Sequence, residues 1–260
     1  APMRDLKVFG RFAERFFNRW KTKVHVLGLD PRKMKNFFVS GHISSTAYGR
    51  LLVGDLLPPH VHRVLYLDSD LLVIGGVSDL AHIEMNRGQE SLPLAAVPIG
   101  KGNHLADLGY QSPRYFNSGV LVIDVDAWRR ERHSASLISQ AKFFGSRLHT
   151  WDQDVLNLFF EERWVELPAT YNFISEHPPP SSTRIVHFAG KLKPWMIGAP
   201  KWQRKMYLHF RRQVGLNFFL PTGLFFFVKR ELVPKGWRKP RKRLRRVWRR
   251  ICRKLSELKA

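Results

Sequence analysis

Val64-Leu65-Tyr66-Leu67-Asp68-Ser69-Asp70 is an apolar run that ends in two carboxylates one residue apart, with Leu71-Leu72-Val73-Ile74 directly behind it. The run over 61–67 is rich in β-branched and apolar residues and reads as a short buried strand. Asp is disfavoured in strands and costly to bury unpaired, so the acidic pair belongs just beyond the strand's end. Working outward, residues 45–57 read as a helix that Pro58-Pro59 stops, and 116–125 as another strand. A long helix is predicted over 126–144. Thr150-x-x-Gln153 resembles a capping box that opens a helix over 152–162. Residues 183–188 give a further strand. Upstream, 6–20 carries Leu6, Phe9, Ala13, Phe16, Phe17 and Trp20 at helical spacing, and 23–29 alternates as a strand closed by Asp30-Pro31. Strands alternating with helices predict an α/β fold, and such folds place ligands at the carboxyl ends of their strands.

Composition narrows the class. The 260 residues are 44% hydrophobic and 25% charged, globular values that exclude disordered and collagen-like chains. A net charge of +23 calls for an anionic partner: nucleic acid, anionic lipid or a phosphorylated substrate. The single cysteine, Cys252, excludes an internal disulfide and a Cys-based zinc cage, and fits a reducing compartment. The N-terminal stretch does not read as a signal peptide. The uncharged run 214–228 holds 15 residues, with Gly215, Pro221 and Gly223 among them, too short and too broken for a membrane-spanning helix.

The charge is unevenly placed. Between positions 229 and 259 lie fifteen Lys and Arg against Glu231 and Glu257, so this segment carries +13 of the total. Leu244, Val247, Trp248, Ile251, Cys252, Leu255 and Leu258 recur at spacings of three and four, one apolar stripe on a basic helix. Phe218, Phe219 and Phe225-Phe226-Phe227 stand just upstream. Aromatic residues beside a basic amphipathic helix suit an anionic membrane surface, with docking of the stripe on the protein body as the lesser alternative. Nucleic acid is the weaker candidate, because the body shows no nucleic-acid fold motif. The expected division is therefore 1–213 as an α/β body and 214–260 as a membrane-associating tail.

Several residues could carry chemistry. Asp68 and Asp70 would suit a divalent cation bridging to a diphosphate, since hard oxygen ligands favour Mg2+ or Mn2+. Taken alone, an exposed turn with solvated carboxylates explains the pair more simply. His187 follows a strand and could be a core histidine, and Lys193 could be merely solvated. Asp152 could serve only as a helix-start residue, and Asn117 could bond a turn.

Order and spacing decide between these readings. Val64-Leu65-Tyr66-Leu67-Asp68-Ser69-Asp70, then Tyr115-Phe116-Asn117-Ser118-Gly119-Val120-Leu121-Val122-Ile123, then Trp151-Asp152-Gln153-Asp154-Val155-Leu156-Asn157, then His187-Phe188-Ala189-Gly190-Lys191-Leu192-Lys193-Pro194-Trp195 together resemble glycosyltransferase family 8. The resemblance runs from about residue 20 to 196, and the tail is similar to the basic, aromatic C-terminus of the lipopolysaccharide enzymes. It implies a GT-A Rossmann-like nucleotide-sugar transferase fold and retaining transfer of galactose or glucose from a UDP-sugar, with Mn2+ or alternatively Mg2+. The implied acceptor is a lipid-linked saccharide of the lipopolysaccharide type, met at the cytoplasmic face of the membrane. The resemblance makes Asp68, Asp70 and His187 metal ligands. It also puts Arg50, Asp68, Ser69, Asp70, Asn117, Asp152, Gln153, Gly190 and Lys193 on the donor, with Gly190 and Lys193 at its phosphates. Gln153, with Asp152, would lie at the reacting carbon, where an amide nucleophile and a same-face attack guided by the leaving phosphate both remain open.

The front of the chain departs from the family pattern. No strand with the Asp-Asp-x-x-Tyr-like motif that cradles uridine is found, so the expectation is a fold lacking its first strand and a weakened nucleotide pocket. The competing function is an impaired transferase body acting as a basic membrane- or nucleic-acid-binding module. A nucleotidyltransferase is the third reading, separable because it would release diphosphate in place of UDP.

Overall fold

The computed structural model describes residues 23–30, 37 and 45–213. The helix expected over 6–20 and the tail over 214–260 lie outside these residues. The chain divides into two compact units, one running to Ser175 and resuming over Pro179–His187, the other comprising Glu176–Pro178 and the chain from Phe188 onward.

The first unit is built on one long strand. β1 (Arg63–Leu67), β2 (Leu71–Val73), the hairpin β3 (Asn86–Arg87) and β4 (Glu90–Ser91), β5 (Leu94–Gly100), β6 (Tyr115–Asp124), β7 (Val165–Glu166) and β8 (Ile185–His187) follow in chain order. A four-stranded sheet has the order β1-β6-β5-β7, with β1 and β5 antiparallel to β6 and β7 parallel to β5. A separate pair joins β2 to β8, with Leu71 opposite His187. The run Val120–Ile123 explains the central position of β6: its alternating side chains enter two cores, as a strand covered on both faces requires. Leu121 and Ile123 pack with Leu94, Ala96 and the helical residues Trp128, Leu137, Val155 and Phe160. Val122 turns the other way, to Ala95, Val97, Leu80 and Leu167.

The helices of this unit are α1 (Val53–Leu56), entered through the 3-10 segment Ser45–Leu52, then α2 (Val125–Arg130), α3 (His133–Phe144) and α4 (Asp152–Phe160). After α1 the chain passes Pro58-Pro59, and Arg129 of α2 donates to the carbonyls of Gly54, Leu57, Pro58, Pro59 and Val61. One guanidinium thus satisfies the orphan carbonyls that the prolines leave behind.

Three expectations need correction. The helix predicted over 126–144 is two helices, broken where Arg132 takes φ 54. The break lets Trp128 Nε1 donate to Ser134 Oγ at 3.2 Å, and Asp124 caps α2 by accepting from Ala127 N at 2.8 Å. Residues 23–29 form no strand, because no neighbouring strand pairs with them among the described residues. The capping box does not form either. Gln153 N donates to the Thr150 carbonyl at 3.0 Å, the Thr150 hydroxyl donates to Asp154, and the Gln153 side chain turns inward.

The second unit contains α5 (Lys201–Gln213), whose Trp202 Nε1 donates to the Glu176 carbonyl at 2.5 Å. No helix of the described residues is long and apolar enough to cross a membrane.

Candidate active site

β1 ends at Leu67, opposite Val120, so residues 115–118 of β6 have no β1 partner. The polar site fills that gap. Asp68 N still reaches the Gly119 carbonyl at 2.9 Å, and the chain then turns through exposed Ser69 to Asp70 and β2. Because β2 pairs with β8, His187 is delivered to the same place. Asp68, Asp70 and His187 each offer a ligand atom, all within 4.8 Å of one another. His187 Nε2 stands 3.4 Å from Asp70 Oδ1 and 4.0 Å from Asp68 Oδ2.

The His187 ring can lie there only because position 119 is glycine. A Cβ at Gly119 would stand 2.2 Å from His187 Cε1 and 2.9 Å from Asn117 Oδ1. Behind the ring, Nδ1 meets Asn172 Oδ1 at 2.9 Å. Two hard carboxylate oxygens and one imidazole nitrogen whose partner nitrogen is already engaged make a donor set that fits a divalent cation.

Arg50 is the hub of the buried half. Nη2 meets Asp68 Oδ1 at 2.7 Å, Nε meets Asp152 Oδ2 at 2.8 Å, and Nη1 donates to the Ser118 hydroxyl at 2.8 Å and to its carbonyl. The guanidinium also lies 4.7 Å from the centroid of the Tyr66 ring, whose hydroxyl donates to Asp68 Oδ1 at 2.9 Å. Burial alone would lower the pKa of Arg50, but Asp152, together with Asp68, holds it above its ordinary value.

From α4, Gln153 accepts from Asn117 Nδ2 at 2.8 Å and from Ser118 N at 3.1 Å, and its Nε2 donates to the Tyr115 hydroxyl at 3.0 Å. Tyr115 donates to Asp154 Oδ1 at 2.6 Å. Asn157, one turn on, accepts from Phe116 N at 2.9 Å and donates to Phe116 O at 3.0 Å, covering backbone that no β1 residue reaches.

Two carboxylates two residues apart are driven in opposite directions. Burial raises Asp152 from 3.8 to about 6, outweighing the Arg50 charge that pulls it down. Asp154 is fully buried too, and burial alone would raise it. Hydrogen bonds from the Thr150 hydroxyl and amide, Tyr115 and His104 outweigh that cost and hold it below its ordinary value.

Of the residues predicted from sequence, Arg50, Asp68, Asp70, Asn117, Asp152, Gln153 and His187 are brought together in the first unit, with exposed Ser69 in the turn between the carboxylates. Gly190 and Lys193 belong to the second unit, where Lys193 Nζ donates to the Phe188 carbonyl at 2.7 Å. Sequence reading missed Gly119, Tyr115, Asp154, Asn157 and Asn172 as parts of the constellation. The signal for Gly119 was present: a glycine inside an apolar strand marks a close approach.

A strand followed by an acidic pair, with a histidine from the separate β2–β8 ladder closing on it, fits a GT-A transferase fold. Galactosyltransferase LgtC, solved in complex with donor and acceptor sugar analogs, shares this fold with a TM-score of 0.59 at 24% identity, over 82% of this chain and 77% of that one. Residues 9–197 match the model of glycosyl transferase family 8, and the chain belongs to that family. It is 34% identical to the probable glycosyl transferase Gly of Streptococcus gordonii over 164 residues, 59% of this chain and 22% of the relative. It is 27% identical to the lipopolysaccharide 1,3-galactosyltransferase of Salmonella typhimurium over 203 residues, 70% of this chain and 58% of the relative. The chain therefore spans less than two thirds of the length of these two curated relatives.

Proposed function

We propose that this protein transfers a hexose, galactose or glucose, from a UDP-sugar to a saccharide of the lipopolysaccharide or lipooligosaccharide type, with retention at the anomeric carbon. The observation that carries the reading is the convergence of Asp68, Asp70 and His187 beside the buried set Arg50, Asn117, Asp152 and Gln153. Family membership and the galactosyltransferase relative support the choice of donor and acceptor class.

Asp68, Asp70 and His187 would hold Mn2+, with Mg2+ as the alternative, and the cation would supply positive charge to the diphosphate of the leaving UDP. Arg50 keeps Asp68 and Asp152 at fixed separation, so the metal end and the sugar end of the site stay in register. Gln153 already accepts two hydrogen bonds on its carbonyl oxygen, an arrangement that suits a positioning amide better than a nucleophile. A same-face attack guided by the leaving phosphate is the course we assign. Gly190 and Lys193 keep the phosphate-binding role that the family pattern gives them. Placement at the cytoplasmic face of the membrane, through a distinct segment 214–260 following the body 1–213, belongs to the same proposal and is supported by the +13 carried by that segment.

The test is Asp70→Asn in the full-length protein, assayed for Mn2+-dependent UDP release with UDP-galactose and UDP-glucose. Loss of one anionic ligand removes several kcal/mol of stabilisation from the leaving group, on the order of 10²–10³-fold in kcat. Wild-type release by this variant would overturn the reading.

A further inference from the structure

The hydrogen bonds behind the metal-ligand triad have a direction, and the direction can be read from groups that cannot change their role. Backbone amides only donate. Gly119 N donates to Asn117 Oδ1 at 2.9 Å, which fixes that atom as the oxygen and leaves Nδ2 as the donor to Gln153 Oε1. Ser118 N donates to the same Gln153 Oε1 at 3.1 Å, an independent backbone constraint that gives the same orientation. At the far end Asp154 accepts from Tyr115, so the Tyr115 oxygen is left to accept from Gln153 Nε2. Three separate anchors agree on one polarity.

That polarity runs on to the histidine. Asn117 Oδ1 can accept only from an N–H, so the group facing it at 2.8 Å is the Asn172 amide nitrogen. The other end of Asn172 is therefore its oxygen, 2.9 Å from His187 Nδ1, and an oxygen there requires Nδ1 to carry hydrogen. In the neutral ring Nε2 is then the bare nitrogen, and it is Nε2 that faces Asp70 and Asp68. Asn172 is itself 3% exposed and follows the 3-10 segment Ala169–Tyr171. Phe173 next to it bridges to Val186 in parallel, and His187 N donates to the Phe173 carbonyl at 2.9 Å. The backbone thus carries Asn172 alongside β8 and aims it at the ring.

We infer that Asn172, oriented through Asn117, is a positioning residue that holds His187 as the Nδ1–H tautomer with Nε2 presented to the cation. The inference rests on the metal reading above and extends it to a residue outside the ligand set. Partners of metal-bound histidines act in this way elsewhere: they set the tautomer and the ring plane, and losing them typically costs about 10–100-fold in metal affinity.

The test uses the full chain and no turnover. Long-range proton–nitrogen correlation spectra of the metal-free protein at alkaline pH, with the His187 signals assigned by their loss in His187→Ala, should show hydrogen on Nδ1. Mn2+ titration followed by electron paramagnetic resonance should show Asn172→Leu weakened by about 10–100-fold. Asn172→Asp, which still accepts from Nδ1 but can no longer donate to Asn117 Oδ1, should be weakened less than Asn172→Leu. Hydrogen on Nε2 in the wild type would overturn the inference, and so would an Asn172→Leu variant binding as tightly as wild type. Equal weakening by Asn172→Leu and Asn172→Asp would overturn it as well, since the acceptor at Nδ1 would then contribute nothing. If Asn172→Leu does not fold, the wild-type spectrum decides. Equal Mn2+ binding by His187→Ala and wild type would overturn the metal reading and this inference with it. A weakened His187→Ala beside an unaffected Asn172→Leu would overturn the inference alone.

Discussion

The two halves of β6 are both buried and differ in chemistry. Residues 121–123 are Leu, Val and Ile paired with a strand on each side, while Tyr115, Phe116 and Asn117 are paired with β5 alone and Ser118 with neither strand. Where β1 and β5 both flank the strand, the ladder satisfies the backbone and the side chains are free to be apolar. Where β1 stops and the β5 register breaks, side chains take over the backbone: Asn157 at Phe116, Gln153 and Arg50 at Ser118, Asn117 at Gly119. A buried strand can carry polar chemistry when a missing neighbour is replaced by amides and a guanidinium.

The comparison can be broken from its apolar side first. Leu121→Ala leaves a cavity between β6 and the helices, with an expected loss of about 2–5 kcal/mol in urea unfolding. Mn2+ affinity of the folded protein should not change, and a change would mean that the halves are not independent. From the polar side, Asn157→Leu leaves Phe116 N–H and C=O buried without their partner, costing about 1–3 kcal/mol. That variant should also impair donor kinetics, because Asn157 Nδ2 donates to the Gln153 carbonyl at 2.9 Å as well. A loss of stability with wild-type kinetics would show that Asn157 serves the fold alone.

A further effect is read in pH. Asp152 is raised to about 6 from 3.8, so the folded state binds the extra proton between those values. Its contribution to stability is full below pH 3.8 and is lost as pH rises through about 6, with a slope of at most about 1.4 kcal/mol per pH unit. Asp154 runs the other way: its contribution is present above its ordinary value of 3.8 and is lost as acid protonates it in the folded state. Urea unfolding from pH 4 to 7 should show the falling limb in wild type and its absence in Asp152→Asn. An unchanged limb in that variant would assign it to another group.

The apolar half was legible because a run such as Val120–Ile123 carries its own signal. The residues gathered at the candidate site were legible only jointly, since Asp68, Asp70, Asn117 and His187 each have a simpler reading alone and the order and spacing of four motifs singled them out. Asn157 and Asn172 were not, because their meaning lies in which backbone or ring they meet, and no periodicity encodes that. The break at Arg132 left no trace for a similar reason: Arg130-Glu131-Arg132-His133 contains neither glycine nor proline, and tertiary packing alone imposes the turn. The strand expected over 23–29 shows the converse, an alternating pattern without a partner to pair with among the described residues.

Asn157 also has a bearing on misfolding. A strand slides along its neighbour in steps, and a slip of one residue would exchange the two faces of β6, sending Leu121 and Ile123 to the side where Val122 belongs. Both faces are apolar, so hydrophobicity alone penalises that slip weakly. A carboxamide gripping N–H and C=O of one residue admits a single alignment, and it links positions 41 apart in the chain. Asn157 therefore acts as an index pin that fixes the alignment of α4 on the central strand.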